Sequence, residues 1–348
     1  MGVNNFPRLH NAMWPGPVGK GPNSQPPLAL DAMLEITANA RVDGVGFDGI
    51  DLFLADPHIS IHSTPDDINR LADRVAGHGL AVGSLVAPLW PPLGGGSAMG
   101  SPEQRKRFVT MVEKACQIGW QLRDIGIRPS GVVRIDSAAS VVEWATDPPG
   151  NQKTIAQTVA QACAVAESYG ERLAAQGEIS SGGMHSWKYM VQLLEMVGRP
   201  ETLGFQANMA HTLLYTLGYN APEHRLLPDD YDWSDRAIFD EALRTVADAL
   251  RPWTIDFNVA QSDATLNGGG SHGKTGRHGM AADTDGKLDI VRHAGFWLRD
   301  NDGRLTRVCT HICWDGCQFP ISEMTKQQTW NEILAVMIRV REAHGWAQ

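Results

Sequence analysis

The sequence lacks any apolar run that approaches the roughly 18 uncharged residues of a membrane-spanning helix. Residues 1–8 lack the basic start and the apolar core of a secretory signal. Cysteine is sparse as well, because five cysteines in 348 residues are too few, and odd in number, for a disulfide scaffold. We therefore expect a cytoplasmic protein with reduced thiols and no membrane partner.

Positive charge is also in deficit, with 30 lysines and arginines against 39 aspartates and glutamates, which gives a formal net charge of -9. This balance argues against a broad basic surface for nucleic acid. A composition of 43% hydrophobic and 20% charged residues is typical of a globular protein. A small molecule is therefore the expected partner.

Short segments with β-strand character alternate with longer segments of helical spacing along the whole chain. The predicted strands lie at 6–13, 45–54, 80–88, 131–135, 172–179, 203–207, 253–260 and 307–314. The predicted helices lie at 28–40, 65–78, 102–125, 152–169, 187–197, 235–250, 288–299 and 326–344. Since parallel strands need helical crossovers, this order predicts one α/β domain over 1–348, a (β/α)8 barrel.

A doubly wound sheet with a small second domain is the competing fold. It would need a phosphate-binding turn after its first strand, where this chain has Trp14-Pro15-Gly16-Pro17. Such a sequence is a poor start for a helix around a phosphate. The barrel is therefore the preferred prediction.

Three long polar, Gly-rich or Pro-rich segments follow predicted strands, at 88–100, 220–233 and 261–286. In a barrel, strand-to-helix loops build the catalytic face, so we expect these segments to form pocket walls. The third is a predicted Gly-rich lid after strand seven.

This lid contains a match to the G-x-x-x-x-G-K-[ST] phosphate loop at 268–275. A true phosphate loop leads directly into a helix, whereas 276–280 does not have a helical pattern. We therefore predict no nucleotide triphosphate here. His272, Lys274, Arg277 and His278 are instead expected to reach an anionic or polyhydroxylated ligand, unless the loop is simply solvated.

Polar residues occupy the ends of the last four predicted strands. Glu178 ends strand five, 208–211 ends strand six with Asn208 and His211, Asn258 lies on strand seven, and Asp315 ends strand eight. Such a set suits a hard divalent cation that polarises a carbonyl or hydroxyl while a carboxylate moves a proton. A lone Glu or His at a strand end is often only a local hydrogen-bond partner, but four in register are harder to dismiss.

The sequence resembles the xylose-isomerase-like TIM barrels, which include sugar isomerases, sugar epimerases and endonuclease-IV-type enzymes. The resemblance rests on Gly-Phe-Asp-Gly-Ile-Asp-Leu at 46–52, on Glu178, on the 208–211 tract and on the eightfold order. The tracts at 254–261 and 270–278 look like a sugar phosphate isomerase/epimerase-type subgroup that includes C-glycoside-deglycosidase α-subunits.

The resemblance implies a divalent metal, with Mn²⁺ expected and Mg²⁺, Co²⁺ or Zn²⁺ as alternatives. The family's usual ligands are a Glu on strand five, an Asp or His on strand six, a His on strand seven and a Glu or Asp on strand eight. The matching positions here are Glu178, Asn208, Asn258 and Asp315. Because an amide carries no charge, either a histidine (His211, His272 or His278) completes the site, or metal binding is weakened or lost.

The implied reaction is sugar isomerisation or epimerisation by proton removal beside a carbonyl, with Glu178 and Asp315 as bases and His211 as a proton carrier. A lyase or deglycosidase acting on keto-glycosides by the same enolisation, and a non-catalytic sugar-binding barrel, stay open. The expected assembly is a homo-oligomer or a partner subunit of a hetero-oligomer. The predicted substrate-binding residues are His10, Trp14, His185, Lys274, Arg277 and His278.

Overall fold

The computed structural model describes residues 5–12, 28–266, 268–269, 274–316 and 320–347. Its main feature is a closed barrel of eight parallel strands. The strands are β1 (Arg8–Ala12), β2 (Gly49–Phe53), β3 (Ala81–Val86), β4 (Val133–Ile135), β5 (Leu173–Gln176), β6 (Leu203–Asn208), β7 (Thr254–Val259) and β8 (His311–Trp314). They pair in the order β1-β8-β7-β6-β5-β4-β3-β2, so β8 closes the barrel against β1.

Helices connect the strands around the outside of the barrel. Within the described residues the α-helices are α1 (Leu30–Asn39), α2 (Pro65–Gly77), α3 (Pro102–Asp124), α4 (Val141–Trp144), α5 (Pro148–Ser168), α6 (Trp187–Val197), α7 (Met209–Leu217), α8 (Arg236–Leu250), α9 (Ile290–Leu298), α10 (Ile321–Met324) and α11 (Gln327–His344). Short 3-10 turns lie at Pro91–Leu93, Pro222–His224 and Arg251–Trp253. The predicted (β/α)8 barrel is confirmed. No described helix is long and apolar enough to cross a bilayer.

Local sequence explains why these helices begin where they do. α2 follows Thr64, whose side chain accepts a hydrogen bond from the Asp67 N–H while the Asp67 carboxylate accepts one from the Thr64 N–H. Ser101 and Gln104 make the same reciprocal pair at α3. Both helices carry proline at the first position, where no N–H is needed. These are starts that a sequence pattern can predict.

The loop after β7 is tied at its base by one side chain. The Gln261 amide donates to the Leu288 carbonyl at 2.9 Å, and its oxygen accepts from the N–H groups of Ser262 and Leu288 at 3.0 Å each. Gly268–Gly269 pairs with Lys274–Thr275 as a two-stranded antiparallel hairpin. No helix begins in 274–289, so the phosphate-loop match lacks the helix that such a loop requires.

The barrel interior carries polar side chains at two successive levels. Residues two apart on a strand share a face. The Ser84 hydroxyl on β3 donates to Asp256 on β7 at 2.8 Å, a contact that crosses the barrel. The pairs that lie two residues apart on or just after β4 to β7 are Arg134 and Asp136, Gln176 and Glu178, Gln206 and Asn208, and Asp256 and Asn258.

Candidate metal and catalytic site

Two carboxylates and two imidazoles converge where β5, β6, β7 and β8 end. Potential ligand atoms of His211, His278 and Asp315 all lie within 4.8 Å of one another. His278 Nδ1 is 3.3 Å from Asp315 Oδ1, and His211 Nε2 is 3.9 Å from Glu178 Oε1. We call these four residues the rim cluster. The structure therefore places the three predicted catalytic residues in one group and adds His278 to them.

The rim cluster is almost closed to solvent. Side-chain exposure is 14% for Glu178 and 3% for His211. It is 0% for His278 and 2% for Asp315. A ligand from solvent would therefore meet Glu178 first. His278 lies in the loop after β7, and its ring centre is 5.1 Å from that of His211.

Asn208 holds the cluster in place from the end of β6. Its side-chain NH₂ donates to Asp315 Oδ2 at 2.7 Å. Its side-chain oxygen accepts from the N–H groups of Ala210 and His211 at 3.0 and 3.4 Å, so Asn208 is the N-cap of α7. Both the NH₂ group and the oxygen of the Asn208 amide are hydrogen-bonded. Asn208 therefore orients Asp315 and the start of α7, which carries His211. Its predicted role as a metal ligand stays a prediction.

Asn208→Asp is expected to lower the melting temperature of the metal-free protein but to increase the stabilisation by a divalent ion. Aspartate keeps the cap acceptor, loses the donor to Asp315, and brings two carboxylates together. Loss of the Asn208 NH₂ donor leaves Asp315 Oδ2 without this hydrogen bond, which lowers the free energy of unfolding by about 1–3 kcal/mol. A bound ion stabilises the protein by an amount that grows with its affinity. Thermal unfolding with and without Mn²⁺ measures both effects.

The matched control is Asn301→Asp on an exposed loop. It should leave the Mn²⁺-induced shift in melting temperature unchanged. An equal shift in the wild type and in Asn208→Asp would contradict the prediction.

Asn258 lies on β7, which runs between β6 and β8, and is in register with Asn208 on β6 and Cys313 on β8. Its side chain is fully buried, and neither amide atom has a hydrogen-bond partner among the described residues. A buried amide without partners costs free energy, so a native protein usually satisfies it with a ligand, an ion or water. The predicted metal-ligand role of Asn258 is compatible with this and stays a prediction.

The two carboxyl groups of the rim cluster have opposite pKa shifts. Burial, with the carboxylates of Asp136 and Asp315 nearby, raises the pKa of Glu178 to about 7. Burial alone would raise the pKa of Asp315 too, but His278 and His211 help to hold that pKa well below its usual value. Burial and the His278 ring lower the pKa of His211 to about 3. At neutral pH the site therefore has an ionised Asp315 and an unprotonated His211.

This donor set fits a divalent cation. Two imidazole nitrogens and two carboxylate oxygens are ligands used for zinc, manganese and related ions. In a tetrahedral site with bonds of about 2.0–2.1 Å, neighbouring ligand atoms lie about 3.3 Å apart. The His278 to Asp315 distance of 3.3 Å matches that spacing, and the His211 to Glu178 distance of 3.9 Å is slightly longer. Buried carboxylates also favour a cation, because burial alone penalises their charge.

The other predicted substrate-binding residues lie in different surroundings. His10 is buried inside the barrel, where its Nδ1 is 3.1 Å from Asp51 Oδ1. His185 packs against Trp144 and Tyr189, with ring centres 4.7 and 4.8 Å away.

Arg277 is engaged within its own loop, 2.5 Å from Asp263 and 3.2 Å from Asp283. Its charge is therefore already balanced by two carboxylates. Trp14, His272 and the side chain of Lys274 lie outside the described residues.

Sequence reasoning missed Asp136, which follows β4 and is 7% exposed. Its Oδ1 accepts from the Ala138 N–H at 2.7 Å, and its charge contributes to the raised pKa of Glu178. A sequence signal for Asp136 was available. Asp136 stands two residues after Arg134 at the end of β4, as Glu178 stands two residues after Gln176 at the end of the neighbouring strand β5. It also missed the polar residues deeper in the barrel, including Asp51, Asp256 and His311.

Comparison with known proteins agrees with the barrel fold. A family profile described as xylose isomerase-like TIM barrel matches residues 40–279. No curated protein matches the sequence significantly. A D-tagatose 3-epimerase-like protein aligns with a TM-score of 0.60 at 11% identity, over 96% of this chain and 98% of the other. An L-ribulose 3-epimerase aligns with a TM-score of 0.59 at 14% identity, over 97% and 95%.

A third similar structure is a xylose isomerase-like TIM barrel protein from Mycobacterium smegmatis in complex with magnesium. It aligns with a TM-score of 0.56 at 10% identity, over 97% of this chain and 98% of the other. At these identities the structural matches establish the shared fold and no more. The family profile, which covers more than half of the sequence, shows that the chain belongs to the xylose isomerase-like TIM barrel family.

Proposed function

We propose that this protein is a sugar isomerase or epimerase that uses a divalent metal and removes a proton from a carbon beside a carbonyl. The observation that carries the proposal is the rim cluster, in which the partly buried Glu178 and the buried Asp315, His211 and His278 meet at the carboxyl ends of four neighbouring strands. Active sites of such barrels lie at this end. The epimerases among similar structures support the same substrate class.

Glu178 and Asp315 are the proposed acid and base. They come from β5 and β8, with β6 and β7 between them, so they approach a bound sugar from different sides. One carboxylate removes the proton from the carbon beside the carbonyl. The other returns a proton to the opposite face in epimerisation, or the proton returns to the neighbouring carbon in isomerisation. His211, 3.9 Å from Glu178, is placed to exchange a proton with a sugar hydroxyl.

Glu178, His211, His278 and Asp315 are the proposed metal ligands, and Asn208 orients Asp315 through its amide hydrogen bond. A bound divalent ion would supply positive charge at the carbonyl and hydroxyl oxygens, which stabilises the enediolate. The mixed oxygen and nitrogen donors suit several divalent ions, and we expect Mn²⁺, with Mg²⁺, Co²⁺ and Zn²⁺ as further candidates.

The deciding experiment is proton exchange in D₂O with the Mn²⁺-loaded protein and a panel of ketoses, aldoses and 3-keto-glycosides. NMR detects deuterium at the carbon beside the carbonyl together with the product. The proposal predicts deuterium incorporation with formation of an epimer or of the aldose–ketose partner. Exchange accompanied by release of the glycosidic group would indicate the lyase instead. Sugar binding without exchange across the panel would indicate a non-catalytic barrel.

A further inference from the structure

A second group of buried titratable side chains lies deeper in the barrel. One potential ligand atom from each of His10 on β1, Asp51 on β2 and His311 on β8 lies within 4.8 Å of the other two. Asp256 on β7 joins them, with its Oδ1 3.7 Å from His311 Nε2. We call these four residues the inner cluster. His311 begins β8 and Asp315 follows its end, four residues later, so the inner cluster is separate from the rim cluster.

The inner cluster is closed to solvent, with side-chain exposures of 3% for His10, 0% for Asp51, 5% for His311 and 2% for Asp256. The backbone N–H of Ser84 donates to Asp51 Oδ1 at 3.1 Å. The Ser84 hydroxyl donates to Asp256 Oδ1 at 2.8 Å. Both carboxylates are therefore oriented by one residue of β3, as ligating carboxylates commonly are.

Glycines make room for the imidazole and carboxylate. A Cβ on Gly83 would lie 2.4 Å from Asp51 Oδ1 and 2.5 Å from His10 Nδ1. A Cβ on Gly49 would lie 2.6 Å from His10 Nε2. Any side chain at either position would displace the polar groups. β2 and β3 therefore carry glycine, at Gly49 and Gly83, where the side chains of His10 and Asp51 approach the backbone.

Two of the donor-atom spacings are compatible with a coordination shell. Asp51 Oδ1 is 3.1 Å from His10 Nδ1 and 3.4 Å from His311 Nε2. Ligand atoms of a tetrahedral ion with bonds of about 2.0–2.1 Å lie about 3.3 Å apart. One carboxylate oxygen thus faces two imidazole nitrogens at distances that a shared ion would permit and that N–H···O hydrogen bonds also span.

The charges around the inner cluster are also compatible with a bound cation. Arg134 Nε is 3.9 Å from Asp256 Oδ2, which gives that carboxylate a partner of opposite sign. Asp51 Oδ2 is buried and has no hydrogen-bond partner among the described residues. The His10 and His311 rings are stacked with centres 4.4 Å apart, so protonating both would place two like charges in contact. Two neutral imidazoles can each donate one N–H to Asp51, but they leave the buried negative charge of Asp51 uncompensated, whereas a cation held by the same nitrogens would neutralise it.

We propose that the inner cluster binds a second divalent transition-metal ion of the zinc class. Two imidazoles and two carboxylates supply four nitrogen and oxygen donors, so a four-coordinate ion held by all of them would have no open position for substrate. The ligands come from β1, β2, β7 and β8, so the ion clamps the seam where the first and last strands of the barrel meet. This inference does not depend on the proposed sugar chemistry.

The test counts ions in protein produced with added Zn²⁺ and then desalted, using elemental analysis. The wild type should carry two ions per chain. A variant with His278→Ala and Asp315→Asn should keep one ion, and adding His311→Gln to it should remove that ion. His62→Ala, on an exposed histidine outside both clusters, is the control and should keep two.

Two results would overturn the inference. The first is a rim variant that holds no ion, because the inner cluster then binds none. The second is an ion that persists after His311→Gln, because it then lies elsewhere. If the triple variant does not fold, X-ray absorption of the rim variant decides. Four nitrogen and oxygen neighbours with imidazole scattering support the inner site, and sulfur or hydrated six-coordinate zinc contradicts it.

Discussion

Replacing Glu178 with Gln, or Asp315 with Asn, is expected to lower turnover on the true substrate by at least about 100-fold, the scale of a lost proton-transfer group. Each substitution keeps the shape of the side chain and removes its charge. The two residues sit on different strands of one buried cluster, so neither can replace the other. The measurement is turnover and deuterium exchange at saturating Mn²⁺, with circular dichroism to verify folding.

Glu143→Gln is the control for this pair, because Glu143 is an exposed carboxylate on α4. It should have wild-type turnover. Near-normal turnover in Glu178→Gln or in Asp315→Asn would show that the changed carboxylate is not an acid or base in the reaction.

Removing the metal is expected to lower turnover by about 100-fold or more, because stabilising the enediolate by a cation is worth several kcal/mol. Mn²⁺ should restore activity to the stripped protein. His278→Ala should raise the Mn²⁺ dissociation constant by at least about 10- to 100-fold. Mutation of residues that only hydrogen-bond to metal ligands already lowers metal affinity by that factor. Activity against free metal concentration, measured in both proteins, gives both numbers.

His62→Ala serves again as the matched histidine control and should bind Mn²⁺ as the wild type does. Full activity after exhaustive chelation would contradict a metal-assisted reaction. Unchanged Mn²⁺ affinity in His278→Ala would remove that residue from the ligand set while leaving the role of the carboxylates open.

The barrel was predictable because local signals agree with the tertiary fold. The Thr64 and Ser101 caps fix helix starts, and short segments of β-strand character alternate with segments of helical spacing. The sequence also predicted that Glu178 and Asp315 lie at the same end of the barrel. In a parallel barrel all strands end on one face, so two residues at strand ends share that face.

Other parts of the site depend on features that periodicity does not encode. His278 reaches the rim cluster from an irregular loop after β7, and its direction is fixed by tertiary contacts. The tract 208–211 was assigned to a strand end, whereas α7 begins at Met209 because the Asn208 side chain caps it.

Asp51, Asp256 and His311 lie within strands, where a sequence pattern predicts apolar core. Their burial is tolerated because they pair with one another and with Ser84 across the barrel. Contacts between strands that are far apart in sequence are not visible in the periodicity of any one strand.

Anomalous diffraction from crystals of the Mn²⁺-loaded protein tests most directly whether the rim cluster is a metal centre. The predicted result is a manganese peak bounded by Glu178, His211, His278 and Asp315, and its loss in crystals of His278→Ala. An active, Mn²⁺-dependent protein with no anomalous peak among those four side chains would contradict the account.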